Sequence, residues 1–225
     1  FNSKSGVTAI GVRDFLIAFN VNLNTSNKKI ASDIALDIRE QGRAKRDCDN
    51  KILRDSKGAI IKIPGTLKNV KAVGWYIDEY NQAQVSMNLI NYKKTSMHEA
   101  FDEVVRQASK RGLRVTGSEI VGLLPKEAIL DSGKYFLKKQ NSSIGIPDKD
   151  IILSAIQSLG LNDLSVFDSK KSIIEEALNI NEKTFKDLSV IEFVDEVSRK
   201  TPTPGGGSVS ALAGSLSASL LLMTI

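Results

Sequence analysis

The 225-residue chain is long enough for one or two domains, and its 41% hydrophobic and 25% charged residues exclude a disordered segment. A single cysteine, Cys48, excludes an internal disulfide and points to a reducing, cytoplasmic setting; it sits among charges and reads as a bystander thiol. The net charge of +5 suits an anionic ligand, yet is too modest and dispersed to imply nucleic acid.

In chain order, the apolar, β-branched run from Phe15 to Leu23 predicts a strand, followed by a polar turn and helix cap at Asn24 to Asn27. Ile30, Ile34 and Ile38 with Ala31 and Ala35 recur at helical spacing, and Gly42 closes that helix. Residues 43 to 58 read as a charged, glycine-tipped loop without apolar period or repeat. Val70 to Ile77 and Ala83 to Tyr92 predict two strands joined by a turn around Asp78 to Asn81. Ser96 and Glu99 form a capping box opening a helix that buries Met97, Phe101, Val104, Val105 and Ala108. Arg114 to Leu124 is the next strand, and Pro125 opens a helix running through Leu137.

That order, β-α-β-β-α-β-α, places the first part of the chain in the α+β class. Its first six elements match a ferredoxin-like βαββαβ unit: an antiparallel sheet with both helices on one face. The second sheet face is then bare, and nothing between residues 15 and 137 can cover it. A partner is therefore expected, and an exposed apolar face also predicts a homo-oligomer.

Beyond Asn141 the pattern is helical. Asp148 caps a helix stopped by Gly160; Asp168 or Ser169 caps another carrying Ile173, Ile174 and Leu178. Leu188 to Lys200 is an amphipathic helix, and the Pro- and Gly-rich stretch from Thr201 to Ser208 breaks the chain before Ser208 caps a last helix. The chain starts at Phe1 without an initiator methionine and stops within an apolar run, so it reads as a piece of a longer protein. That run is too short for a membrane span of roughly 20 residues.

Several separated strings, in order, resemble the C-terminal subdomain of the folate-dependent glutamate formimidoyltransferase family. They are Phe15 to Leu23, Arg39 to Arg43, Gly74 to Tyr80 with Gln84 to Leu89, and Val115 to Pro125. Thr203 to Val209 resembles the start of the formimidoyltetrahydrofolate cyclodeaminase domain. The resemblance implies transfer of a formimidoyl group from N-formimidoyl-L-glutamate to N5 of tetrahydrofolate, which serves as co-substrate and carries polyglutamate in some forms. It implies a linked cyclodeaminase lyase, no metal, and a role in histidine metabolism. The implied boundaries are 1–14 for the end of an N-terminal subdomain, 15–178 for the C-terminal subdomain, 179–186 for a linker and 187–225 for the start of the cyclodeaminase. In this family two similar subdomains pack sheet to sheet around a folate tunnel, so the bare face is the expected tunnel wall and its partner the N-terminal subdomain.

The same resemblance carries the site residues. Phe1, Asn2, Ser3, Lys4, Ser5 and Gly6 match the end of the folate-binding segment, against the alternative of a frayed terminus. Glu119, beside Gly117 and Gly122, is placed to hold a pterin N–H group or lie near the migrating group, against a plain solvated strand residue. Gln84, Ser86 and Asn88 share one strand face and either line the tunnel or meet solvent. Trp75 reads as core, against the alternative of a ligand platform. The only histidine, His98, falls in the capping box and reads as structural. The implied catalytic histidine belongs to the other subdomain, so no catalytic residue is expected here and the piece alone should be inactive.

Two further stretches keep two readings each. The glycines at 205 to 207 are either a hinge or part of the cyclodeaminase folate site at a helix N-terminus. Lys45, Arg46, Lys51, Arg54 and Lys57 belong to a solvated insertion or attract polyglutamylated folate. The competing function is a ferredoxin-like anion- or RNA-binding module, which would need stacked aromatics on central strands.

Overall fold

The computed structural model describes residues 3, 4, 6–8, 10–178, 185, 188–199 and 201–224. Strand β1 (Ile17–Leu23) alternates strictly: Ile17, Phe19, Val21 and Leu23 are fully buried on one face, with Ala18, Asn20 and Asn22 on the other. A one-residue slip would exchange those sets and expose four large side chains, at about 1.5–3 kcal/mol each. The register is fixed by that penalty.

Around β1 lie β4 (Val70–Ile77), β5 (Gln82–Leu89) and β6 (Val115–Val121), in the order β4-β5-β1-β6 with every pairing antiparallel. This is the ferredoxin-like arrangement expected. Asn81 takes a left-handed conformation, φ 50°, to close the β4–β5 hairpin after the single turn Asp78–Tyr80. Helix α1 (Lys28–Ile38) is capped by the Asn27 side chain and buries Ala31, Ile34, Ala35 and Ile38 over β4 and β5. It lies so close that a Cβ on Gly74 would stand 2.0 Å from the Ser32 nitrogen. Helix α2 (Met97–Ser109) starts with both capping-box bonds in place. It packs against β1 and β6 on the same side.

Residues 43 to 58 depart from the predicted loop. With β2 (Arg43–Ala44) and β3 (Lys62–Ile63) they form a small arm of bridges, Arg46 with Ile52 and Arg54 with Ile60. The arm holds an eight-residue repeat that the sequence reading did not see. In each unit an aspartate, Asp47 or Asp55, accepts two backbone N–H groups, and an arginine, Arg46 or Arg54, donates to the carbonyl of Asn50 or Gly58. Those last two residues have positive φ, 64° and 80°. The missed signal is turn chemistry rather than apolar period.

Helix α3 (Lys126–Lys139) and α4 (Asp148–Leu159) pack on each other, and α3 packs on α2. Asp148 is the first residue of α4 rather than its cap, which is Pro147. The helix predicted around 169–178 is split into α5 (Ser169–Ser172) and α6 (Ile174–Ala177). Between them Ile173 is extended and fully buried: Leu124 N–H donates to Ser172 and Ile174 N–H donates to Leu124, a parallel bridge that outcompetes helical bonding. Most of the expected 179–186 linker lies outside the described residues. Helix α7 (Val190–Ser198) has a second full capping box, and α8 (Gly206–Leu222) begins after Gly205, two positions before the predicted Ser208 cap. Phe193 is buried on α7, whereas Val190, Ile191 and Val194 remain exposed. No helix among the described residues is long and apolar enough to cross a membrane.

Candidate functional site on the open sheet face

The helices leave one face of the sheet open. Register places its side chains in three transverse rows across β4, β5, β1 and β6. They are Trp75, Gln84, Asn22 and Gly117; Val73, Ser86, Asn20 and Glu119; and Lys71, Asn88, Ala18 and Val121. Burial falls along that order: Gln84 and Asn22 are sealed, Ser86 and Glu119 half-buried, Lys71 and Asn88 exposed.

The first row is closed at one end by the turn after α4. Ser118 N–H and hydroxyl bond the carbonyls of Gly160 and Leu159, at 3.0 and 2.6 Å, which covers the outer edge of β6. That brings Asp163 above Gly117. Asp163 Oδ2 accepts from Asn22 Nδ2 and from Thr116 Oγ1, both at 2.9 Å. Gln84 Nε2 donates to Asn22 Oδ1 at 2.7 Å, and Trp75 Nε1 donates to Gln84 Oε1 at 2.9 Å.

The middle row holds a carboxylate and an amide. Asn20 is 3% exposed, and its Nδ2 donates to Glu119 Oε2 at 3.3 Å. A glycine with positive φ, Gly122, ends β6 just beyond. Val73 and Val121 flank the face with 56% and 53% exposure. A cavity of about 620 Å³ opens at its β4 end, lined by Lys71, Val73, Ser86 and Asn88 with Arg39, Glu40 and Gln41. Chemically this is a sheet surface with a carboxylate acceptor, Glu119, in the middle row at its β6 edge and exposed valines at both margins, suited to a ligand rich in N–H groups.

Of the residues expected from sequence, Glu119, Ser86 and Asn88 reach this face and retain accessible surface. Gln84 is on it but fully buried, with both ends of its amide bonded within the chain. Ser3, Lys4 and Gly6 are exposed, and Phe1, Asn2 and Ser5 lie outside the described residues. Trp75 is not core: β4 alternation turns it to the open side, 40% exposed. Asn20, Asn22 and Asp163 were missed. The two asparagines had a visible signal, polar residues alternating with Phe19 and Val21; Asp163 had none.

His98 lies in the helical layer. Its ring stacks on Tyr135, centroids 4.3 Å apart, and its nitrogens meet the hydroxyls of Ser96 and Ser132 at 2.9 and 3.4 Å. Burial pushes its pKa below the ordinary value, against the pull of Glu99, Asp131 and Asp102. Among the described residues no group of three or more His, Cys, Asp and Glu side chains is placed to hold a metal ion.

The chain is similar in sequence to known proteins. A family model described as "Formiminotransferase domain" matches residues 18–179, and one described as "Formiminotransferase-cyclodeaminase" matches 189–225. The chain is 44% identical to the formimidoyltransferase-cyclodeaminase of Dictyostelium discoideum, covering all of this chain and 39% of that protein. It is 40% identical to the mouse protein of the same name, over 97% of this chain and 37% of the relative. A glutamate formimidoyltransferase of Thermoplasma acidophilum is 39% identical over 60% of this chain and 37% of its own length. The chain thus spans less than two fifths of these relatives.

Proposed function

Because the chain belongs to the formiminotransferase family, we propose that it works within an enzyme that moves a formimidoyl group from N-formimidoyl-L-glutamate to N5 of tetrahydrofolate. On this reading 1–14 end the folate-binding segment, 15–178 form the second transferase subdomain, 179–186 are a linker and 187–225 open a cyclodeaminase unit. The open sheet face is one wall of the folate site, and a partner subdomain supplies the other.

One observation carries the reading: a carboxylate held by a buried amide, Glu119 on the edge strand β6 with Asn20 on β1, stands in the middle row of a face that this chain's helices leave uncovered. The reaction joins N5 to the formimidoyl carbon, breaks that carbon's bond to the glutamate nitrogen, and passes a proton from the one nitrogen to the other. Glu119 accepts from ring N–H groups and orients the folate; Asn20 fixes the carboxylate; Ser86 and Asn88 offer further hydrogen bonds. His98, in the helical layer, is remote from this face, so the proton carrier comes from the partner wall. Lys45, Arg46, Lys51, Arg54 and Lys57 supply a positive field for polyglutamylated folate. Exposed apolar residues on the wall and on α7 support assembly into an oligomer. An RNA-binding sheet is not favoured, because the central strands turn Ala18, Asn20, Asn22, Gln84, Ser86 and Asn88, and no aromatic, to the open side.

The test is Glu119→Gln in the full-length protein. Loss of a charged hydrogen bond, about 1.5–3 kcal/mol, should weaken folate binding about 10- to 100-fold. Unchanged folate affinity and turnover would remove Glu119 from the site.

A further inference from the structure

We propose that Trp75 is an aromatic stacking platform for the folate and that Asp163 is the residue that positions it. The proposal rests on the folate reading above and adds to it a recognition element for the flat ring system. An ionised carboxylate only accepts hydrogen bonds, so Asn22 must turn its NH₂ group toward Asp163. The Asn22 oxygen then faces β5, where Gln84 must offer its own NH₂. The Gln84 oxygen is left facing β4, where a donor is required, and the indole N–H is a donor only. One charge therefore sets the direction of every bond along the row. Gln84 and Asn22 are both fully buried, so water does not compete for these groups.

The end of that relay is accessible. Trp75 keeps 40% of its surface open beside Val73, on the same face as Glu119. A core tryptophan needs no such exposure, and an indole held by its nitrogen at a sheet surface has lost its rotational freedom before a ligand arrives. The chemistry that it fits is one planar aromatic ring of the folate, stacked at the β4 edge, with Glu119 on the opposite edge strand β6 left to a more distant polar group of the same ligand.

Calorimetric titration of the full-length protein with 5-formyltetrahydrofolate, with steady-state kinetics, tests this. Trp75→Leu should weaken folate binding about tenfold and Trp75→Phe by no more than about threefold, with KM for N-formimidoyl-L-glutamate unmoved. Asp163→Asn, nearly isosteric, loses the acceptor-only anchor and should weaken folate binding in the wild type but add nothing to Trp75→Leu, because it acts through the indole. That non-additivity separates positioning from general loosening of the fold. If Trp75→Leu does not fold, Asp163→Asn and Trp75→Phe still decide. Equal folate affinity in wild type and Trp75→Leu, or full additivity in the double variant, overturns the proposal alone. A wild type that fails to bind the folate overturns it together with the transferase reading.

Discussion

Gly117 on β6 and Asp163 in the turn after α4 share one small space: a Cβ on Gly117 would lie 2.3 Å from the Asp163 Cβ and 2.6 Å from the Gly160 carbonyl oxygen. The missing side chain lets the turn fold over the sheet and the carboxylate reach Asn22. Gly117→Ala must push that turn outward, because one obstacle is backbone. Destabilisation of about 1–3 kcal/mol is expected, read as a lower urea midpoint. Folate affinity should fall with it, since the Asp163 anchor is displaced. A fully stable variant would mean that the turn does not close on the strand.

Acid sensitivity should arise at Asp33 on α1. Arg43 hydrogen-bonds Asp33 at 2.8 Å and stands in ion-pair contact with Asp37 at 2.7 Å, while Arg111 reaches the other oxygen of each. Burial pushes the Asp33 carboxyl up, but hydrogen bonds and charge from Arg111 and Arg43 outweigh it and hold its pKa below the ordinary value. A pKa depressed by folding gives stability that is complete above the unfolded value, about 3.9, and lost as pH falls through the folded one. The urea midpoint should therefore drop below about pH 4, and Arg111→Met should lower it at neutral pH while flattening the acid limb. Parallel acid limbs in the two proteins would dissociate Asp33 from this effect.

His98 offers a test of stability against chemistry. Its lowered pKa means that the neutral ring is the one that fits, so its contribution is complete above the unfolded value, about 6.5, and declines as pH falls through the folded one. His98→Ala removes the stack on Tyr135 and two hydroxyl contacts, and should cost about 1–3 kcal/mol in chemical denaturation. Formimidoyl transfer by the folded full-length variant should stay within about twofold of wild type. A large loss of turnover in a protein of normal stability would instead assign the imidazole to the reaction.

Much of the scaffold was legible because its signals are local. The period-two pattern of Ile17 to Leu23, the Ser96–Glu99 box and the left-handed Gly160 at the end of α4 each lie within a few residues of what they organise. Glu119, Ser86 and Asn88 were also reachable, through strand alternation and family likeness. The failures share a different cause. Ile173 looks helical by its neighbours, and only the bonds that Ser172 and Ile174 on either side of it make with Leu124, far back in the chain, draw it out. Trp75 looks like core because tryptophan usually is, and the parity of β4 overrides that preference.

The sequence by itself determined the α+β class, the order of the main strands and helices, and a sheet face that the two helices of the unit leave bare, while likeness of its separated strings gave the family. The first three follow from side-chain periodicity and caps, which the chain reads within one or two turns. Only the tertiary structure decided what occupies that face, because antiparallel pairing joins Trp75, Gln84 and Asn22 across three strands and a distant turn delivers Asp163 to the end of the row. Cross-strand neighbours are chosen by register and packing, and neither is written in the spacing of any one segment.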